Sequence, residues 1–378
     1  MKIRMRARQI SAAAEKKSGG KKAMEVSRRN LLSSGSTLLN LACSNNPFGA
    51  FLKGKYYFLV GDSTSGKTFL AMTCFAEALI SSQFKNYRLI YDNVEDGCLL
   101  DLEKLFNAEV RDRVEPPEMG EDGPVYSYLV EEFYYHVDDA IERAKKDGRP
   151  FVYVLDSMDS LTSESETDKF EQHKDAHRKG KDTPGSYGDG KAKRNSEGLR
   201  KVLKGLRDTG SILIIISQTR DNIGFGFEKK TRSGGHALKF YATVEIWSSL
   251  AGAIKKTVKG RDRQIGIHVK LKVKKNRITG ESHEVQTDIY PSYGIDDIGS
   301  CIDYLVAEKW WMKKKSLIEA PEFEVTLTRQ KLIAHIEENG LSRKLQRVVG
   351  ECWNDVREAC DIHRQGRYST KVEEEEDE

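Results

Sequence analysis

Tyr56-Tyr57-Phe58-Leu59-Val60-Gly61-Asp62-Ser63-Thr64-Ser65-Gly66-Lys67-Thr68-Phe69-Leu70-Ala71-Met72 joins an apolar run, a loop bounded by glycines and a helix-like run in one stretch. Strand, glycine loop and helix, in that order, are what a nucleotide phosphate site requires. The G-x-x-x-x-G-K-T spacing predicts that Gly61 and Gly66 take backbone angles that aim successive N–H groups at phosphate oxygens. Lys67 supplies a mobile positive charge to the β- and γ-phosphates, and the Thr68 hydroxyl can ligate Mg²⁺. A helix starting near Lys67 adds the positive end of its dipole to the same anion. The stretch predicts a nucleoside-triphosphate site.

Outward from this stretch, apolar runs alternate with amphipathic ones. Tyr56–Val60, Arg88–Tyr91, Phe151–Leu155 and Ser211–Ser217 read as buried strands, and residues 67–81, 129–146 and 196–208 as the helices between them. Such alternation predicts an α/β fold with a mostly parallel central sheet covered on both faces. Gly266–Lys275 and Val285–Tyr290 alternate as an antiparallel pair does, which adds strands at one sheet edge. Pro116-Pro117 through Pro124 read as a surface loop. Residues 162–195 are polar and too long for an ordinary connection, and residues 219–235 form a second, glycine-punctuated loop. The expected organisation is a basic N-terminal arm over 1–34, an ATPase-type core over 35–311, a small C-terminal helical module over 312–364 and an acidic, disordered tail over 365–378.

Three strand ends carry candidate chemistry. Asp156 closes the run Phe151-Val152-Tyr153-Val154-Leu155, where a phosphate-loop protein holds the second ligand of its Mg²⁺ shell, so Thr68 and Asp156 are the metal candidates. Asp92, Glu95 and Asp96 compete to orient and deprotonate the attacking water, with Glu95 favoured. Ser217-Gln218-Thr219 ends a further strand, and the Gln218 amide can hydrogen-bond a γ-phosphate or that water.

Charge and composition narrow the partners. The 378-residue chain has a formal net charge of only +4, but its ends are opposed: ten Lys/Arg lie within residues 1–30, and Glu373-Glu374-Glu375-Glu376-Asp377-Glu378 closes it. Residues 174–194 hold Lys174, Arg178, Lys179, Lys181, Lys191, Lys193 and Arg194 with Tyr187 among glycines. Residues 219–235 hold Arg220, Lys229, Lys230 and Arg232 with Phe225 and Phe227. Mobile basic loops with aromatics suit single-stranded nucleic acid, whose phosphates need neutralising and whose bases stack. His173 and His177 sit one helical turn apart, yet no further His or Cys completes a metal site. The six cysteines form no C-x-x-C pair and read as buried thiols of a reducing cytosol, and no apolar run is long enough to span a membrane.

Taken together, these segments resemble the bacterial and phage RecA recombinase family over most of residues 30–310. The resemblance rests on Leu31–Ala42, the phosphate loop, Leu155-Asp156-Ser157 and Ser217-Gln218-Thr219. Its most specific parts are Gly234-Gly235-His236-Ala237-Leu238-Lys239-Phe240-Tyr241-Ala242 and Val273-Lys274-Lys275-Asn276-Arg277. It implies a RecA-like P-loop NTPase core that uses ATP and Mg²⁺ and works in the bacterial or phage-infected cytoplasm. It also implies a helical filament on single-stranded DNA that engages double-stranded DNA, with a single-strand-binding or loader protein as a possible further partner. Family roles map to Lys67 and Thr68, to Asp156, to Gln218 as γ-phosphate sensor, and to Lys275 and Arg277 as charges that reach a neighbour's γ-phosphate. Lys191, Lys193, Arg194, Arg200, Arg220, Lys229, Lys230, Arg232, Gly234 and Gly235 become the DNA-binding candidates. The chain departs from the family in two places. Asp92-Asn93-Val94-Glu95 is one residue longer than the usual D-x-E, and the first loop is longer and more basic. A ring-forming DNA motor, or an accessory ATPase without strand exchange, is the alternative on the same fold.

Overall fold

The computed structural model describes residues 27–95, 100–179, 190–221, 230–232, 235–362 and Arg364. Seven strands build the main sheet: β1 (Tyr56–Gly61), β2 (Arg88–Asn93), β3 (Phe151–Asp156), β4 (Ile212–Asp221), β5 (Val244–Val258), β6 (Arg261–Asn276) and β7 (Glu284–Tyr290). Their order across the sheet is β7-β6-β5-β1-β4-β3-β2, with the short strands Gly294–Asp296 and Val114–Glu115 at the two edges. From β5 to β2 every neighbour is parallel; β5, β6 and β7 pair antiparallel.

The apolar runs become strands because both faces are covered. Tyr57 and Leu59 of β1 point into one hydrophobic cluster, and Tyr56, Phe58 and Val60 into the other. Strand periodicity of two makes this division obligatory, and burying one such side chain contributes about 1.5–3 kcal/mol. The nine helices that matter here are α1 (Thr37–Ser44), α2 (Lys67–Ile80), α3 (Val130–Asp147), α4 (Glu164–Arg178), α5 (Gly190–Thr209), α6 (Gly235–Tyr241), α7 (Asp297–Ala307), α8 (Arg329–Glu338) and α9 (Ser342–Cys360). Helices α1, α2 and α7 to α9 cover the first cluster, while α3, α5 and α6 cover the second.

The polar stretch 162–195, expected as one loop, is largely helical. Ser163 and Glu166 exchange hydrogen bonds in a capping box that starts α4, and Lys174–Glu171 and Arg178–Asp175 ion pairs run along it. Lys191, Lys193, Arg194 and Arg200 therefore stand on α5, which begins six residues before the expected start at 196. The apolar stripe Leu199, Val202 and Leu206 buries that helix against α3. A Cβ on Gly198 would lie 2.3 Å from the Tyr134 ring, so this close helix contact requires glycine.

Thr219 also differs from expectation: β4 continues to Asp221 and pairs antiparallel with Lys230–Arg232, so a ribbon forms the base of the second loop. The stretch from Pro116 to Pro124 carries a small hairpin, Glu118–Gly120 with Gly123–Val125. Before α8 and α9, the C-terminal region holds a three-stranded sheet (Met312–Lys314, Leu317–Ala320, Val325–Thr328), and Trp311, Leu332, Val349 and Trp353 join the first cluster. Arg357 of α9 pairs with Glu281 at 2.6 Å, and Trp353 donates to Asn45 at 3.0 Å. Cys360 is exposed, unlike the buried Cys43, Cys74, Cys301 and Cys352, because it ends α9 beyond the apolar stripe. Among the described residues, no helix is long and apolar enough to cross a membrane.

Candidate active site

The phosphate loop, Glu95, Asp156 and Gln218 gather at the C-terminal ends of the parallel strands, where ligands bind in open α/β sheets. The register sets this up. Gly61 at the end of β1 is level with Gln218 of β4 and Ser248 of β5, and Asn93 of β2 is level with Asp156 of β3. The loop from Gly61 to Thr68 then opens on a cavity of about 780 Å³. Thr64, Ser65, Gly66, Lys67 and Thr68 line it together with Glu95 and Asp156.

Gly66 has φ 81° and forms the N-cap of α2 with no side-chain cap, so the first N–H groups of that helix are left for an anion. Gly61 serves differently from the expectation that it supplies an unusual angle. Its backbone is ordinary, but a Cβ there would lie 2.3 Å from the Ser248 carbonyl oxygen. The second left-handed residue in the loop is Thr64, at φ 62°. Lys67 Nζ donates to the Asp62 carbonyl at 2.6 Å, inside the curve of the loop. Burial pulls the Lys67 ammonium below its usual range, with the carboxylates of Asp156, Glu95, Asp62 and Asp159 acting in opposition.

The residues present fit Mg²⁺ with a nucleoside triphosphate. The Thr68 hydroxyl donates to Asp156 Oδ2 at 2.6 Å, so the two expected ligands already meet at the cavity wall. Burial pushes the Asp156 carboxyl up, partly offset by the Thr68 hydrogen bond, and a cation would relieve that cost. Asn93 Oδ1, on the same wall, is a buried acceptor with no hydrogen-bond partner. Among the described residues no cluster of three or more His, Cys, Asp or Glu could by itself hold a metal.

The carboxylates competing for the base separate clearly. Asp92 is fully buried; its oxygens accept from the Ser127 N–H at 3.0 Å, the Ser127 hydroxyl at 2.6 Å and the Tyr153 hydroxyl at 2.7 Å. Glu95 faces the cavity, where Oε1 accepts from Ser157 at 2.5 Å, Gln218 Nε2 at 3.0 Å and Ser160 at 3.2 Å. Asp96 lies outside the described residues.

The sequence reading missed the groups that hold the end of β4. Gln218 donates its N–H to Asp159 Oδ2 at 2.6 Å, and the Thr219 hydroxyl donates to Asp62 Oδ1. The phosphate loop and the segment after β3 therefore grip the strand that leads into the second basic loop. The polar run Ser157-Met158-Asp159-Ser160 after a strand end was the available signal.

Lys275 and Arg277 lie away from this cavity. Lys275 Nζ donates to the carbonyls of Lys239 and Phe240 at 2.6 and 2.8 Å, and Arg277 Nη2 to that of Phe240 at 2.8 Å. Both cations thus cap the C-terminal end of α6, a favourable place for positive charge. On α5, Arg194 pairs with Glu131 at 2.8 Å, Glu197 at 3.4 Å and Glu164 at 3.8 Å, and Lys191 reaches Glu166 at 3.9 Å. Arg200 turns back to the Ser196 carbonyl at 3.1 Å, and Lys193 is exposed on the same helix. Only the backbones of Arg220, Lys230, Arg232 and Gly235 are described, in β4, the strand paired with it and α6. Lys229 and Gly234 lie outside the described residues, as do 1–26 and the acidic tail.

A parallel sheet with a phosphate loop after β1 and a carboxylate at the end of β3 defines a P-loop nucleotide-binding protein of the α/β class. The family model described as the RecA N-terminal domain matches residues 147–296. Protein RecA of Chlamydia trachomatis serovar A is 27% identical over 327 residues, covering 85% of this chain and 82% of the relative. Protein RecA of Cytophaga hutchinsonii is 27% identical over 288 residues, and that of a Caulobacter species 28% over 273; each alignment covers 72% of this chain and 67% of the relative. The chain is thus similar to RecA proteins over most of its length, and its residues 147–296 match the RecA N-terminal domain.

Proposed function

We propose that this protein is a DNA-stimulated ATPase of homologous recombination and repair, which assembles as a helical filament on single-stranded DNA and exchanges strands. The observation that carries the reading is the Gln218–Glu95 hydrogen bond, because it ties the base candidate to the strand that enters the second basic loop. When bound, ATP with Mg²⁺ supplies the electrophilic γ-phosphoryl group and neutralises its charge. Lys67 and the start of α2 hold the phosphates, and Thr68 and Asp156 hold the metal. Glu95 takes the proton of the attacking water, with Ser157 and Ser160 fixing its carboxylate. Gln218 passes the state of the site to β4, and Lys275 and Arg277 serve the nucleotide of a neighbouring copy. A head-to-tail contact of that kind, which does not close on itself, gives an open helix.

In this reading residues 1–34 are an assembly and DNA arm, 35–311 the ATPase core, 312–364 the C-terminal module and 365–378 a modulating acidic tail. Single-stranded DNA follows the basic residues of α5 and the second loop, and the protein works in the cytoplasm. ATP turnover with and without single-stranded DNA, together with negative-stain imaging on DNA with a non-hydrolysable analogue, tests it. Stimulated turnover and extended helical filaments are expected; closed rings, or turnover indifferent to DNA, would overturn it.

A further inference from the structure

Strand alternation divides the end of β2 between two sites. Asp92 turns to the second cluster, where Ser127 and Tyr153 satisfy it, while Asn93 shares the other face with Leu89 and Tyr91. Asp156 stands on that same face, because β3 turns Val152 and Val154 to the first cluster and Asn93 is level with Asp156 in the register. Adjacent strands lie about 4.8 Å apart, so the two side chains are neighbours at the strand ends.

Asn93 is only 8% exposed and lines the nucleotide cavity, yet its Oδ1 is buried without a hydrogen-bond partner among the described residues. An unpaired buried oxygen costs free energy, and roughly nine in ten buried polar groups avoid that cost. A carboxamide that only held the fold together would find its donor within the fold, so the exception calls for a donor that arrives with a ligand. Its surroundings indicate which. The hydroxyls of Thr68 and Tyr91 donate to Asp156 at 2.6 and 3.1 Å. Both bonds fall on Oδ2, and among the described residues no side chain donates to Asp156 Oδ1. Two acceptors, Asp156 Oδ1 and Asn93 Oδ1, thus stand side by side next to the expected metal ligands.

We propose that Asn93 is a positioning residue for the metal of this site: its Oδ1 accepts a hydrogen bond from water carried by Mg²⁺, beside Asp156. Mg²⁺ dehydrates reluctantly and keeps several waters, whose hydrogens need acceptors. When the Thr68 oxygen turns to the ion, its hydrogen bond to Asp156 is given up and the corner opens to that water. Asn93 then acts on the metal through the water, as outer partners of metal sites do. The inference rests on the reading above only in taking a nucleoside triphosphate with Mg²⁺ as the ligand, and it needs neither DNA nor turnover.

The test measures binding of a non-hydrolysable ATP analogue to the full chain as Mg²⁺ is titrated, together with the thermal midpoint without nucleotide. Asn93→Leu keeps the side-chain volume and removes the acceptor. The Mg²⁺ concentration at half-maximal binding is expected to rise about 10- to 100-fold, the usual cost of losing an outer partner of a metal site. The nucleotide-free midpoint is expected to hold or rise, since an unpaired buried oxygen is gone. Asn93→Asp restores an acceptor and is expected to bring the Mg²⁺ requirement back to within a few-fold of wild type. An unchanged requirement in Asn93→Leu would overturn the proposal. So would a lowered midpoint, which would mean that Oδ1 is satisfied within the fold, or an Asn93→Asp protein as impaired as Asn93→Leu. Wild-type binding indifferent to Mg²⁺ would overturn the metal site along with the proposal. A shifted requirement in a protein whose turnover ignores DNA would sink the functional reading and leave this proposal standing.

Discussion

The Gln218 side-chain amide donates to Glu95 Oε1 at 3.0 Å, joining residues 123 positions apart at the mouth of the nucleotide cavity. The same Gln218 gives its backbone N–H to Asp159, so a shift of the β4 end moves the Glu95 carboxylate directly. Glu95→Gln keeps the size of the side chain and removes the carboxylate proposed as the base. Turnover is expected to fall by about 10²- to 10⁴-fold, with ATP binding retained. Gln218→Ala is expected to keep basal hydrolysis within a few-fold and abolish its stimulation by DNA. Steady-state rates with and without single-stranded DNA separate the two effects, and equal loss of basal and stimulated rates in Gln218→Ala would show that the amide carries no signal.

Asp92 provides the contrasting case. Its carboxyl is pushed up by burial, against the hydrogen bonds of Ser127 and Tyr153 and the nearby His136. A carboxyl raised in the folded state binds more protons there than when unfolded, so it costs stability as pH rises from the usual Asp range through the folded value. Asp92→Asn removes that cost; its one amide oxygen still accepts from the Ser127 N–H, while its NH2 takes the place of the oxygen that accepts from the Ser127 and Tyr153 hydroxyls, which must rotate to accept instead. Denaturant titrations are expected to show a flatter stability profile across that window, with ATP turnover within a few-fold of wild type. A turnover loss as large as that of Glu95→Gln would transfer the base role to Asp92.

The strands and the phosphate loop were legible because their signals are local: apolar runs of strand length, and glycines spaced around Lys67 and Thr68. Helix α4 was not, since Glu164–Arg178 buries no residue and shows no apolar stripe; only its capping box and i,i+3 charge pairs betray it. The grip of Asp62 and Asp159 on β4 depends on register between strands far apart in the chain, which one sequence does not reveal. For Lys275 and Arg277 the alternation was readable, but their convergence on the α6 carbonyls depends on how that short helix packs.

Arg357 and Glu281 fasten α9 to the turn before β7. Hydrogen bonding from Arg357, helped by His283 and Asn45 and opposed by burial, holds the Glu281 carboxyl down at about 2 against an ordinary 4.5. With a depressed folded value, the stabilisation is complete above the unfolded pKa and is lost as pH falls from about 4.5 toward 2. The pair is partly exposed, so its contribution is modest. Arg357→Ala is expected to lower the thermal midpoint at pH 7 and to shrink the difference between midpoints at pH 7 and pH 3. An undiminished difference would locate the acid sensitivity elsewhere.

Lys275 and Arg277 donate to the same Phe240 carbonyl, so they already act as a pair, and α6, whose C-terminal end they cap, begins where the second basic loop ends. Arg277 is exposed at this corner, and a turn toward a neighbouring copy would exchange its hydrogen bond to the Phe240 carbonyl for one to phosphate. Two cations delivered in trans stabilise charge on a transferring phosphate as an arginine finger does. Replacing both with Ala is expected to leave ATP binding by the isolated chain nearly intact, to cost the α6 cap, and to remove DNA-stimulated turnover. Mixing that variant with Lys67→Ala protein gives the decisive measurement, since neither hydrolyses alone and each mixed contact can bring an intact phosphate loop against intact cations. Hydrolysis should therefore recover with mixing ratio, peaking near equal amounts. Absence of recovery at every ratio, with co-assembly shown by light scattering, would confine Lys275 and Arg277 to capping α6 within their own chain.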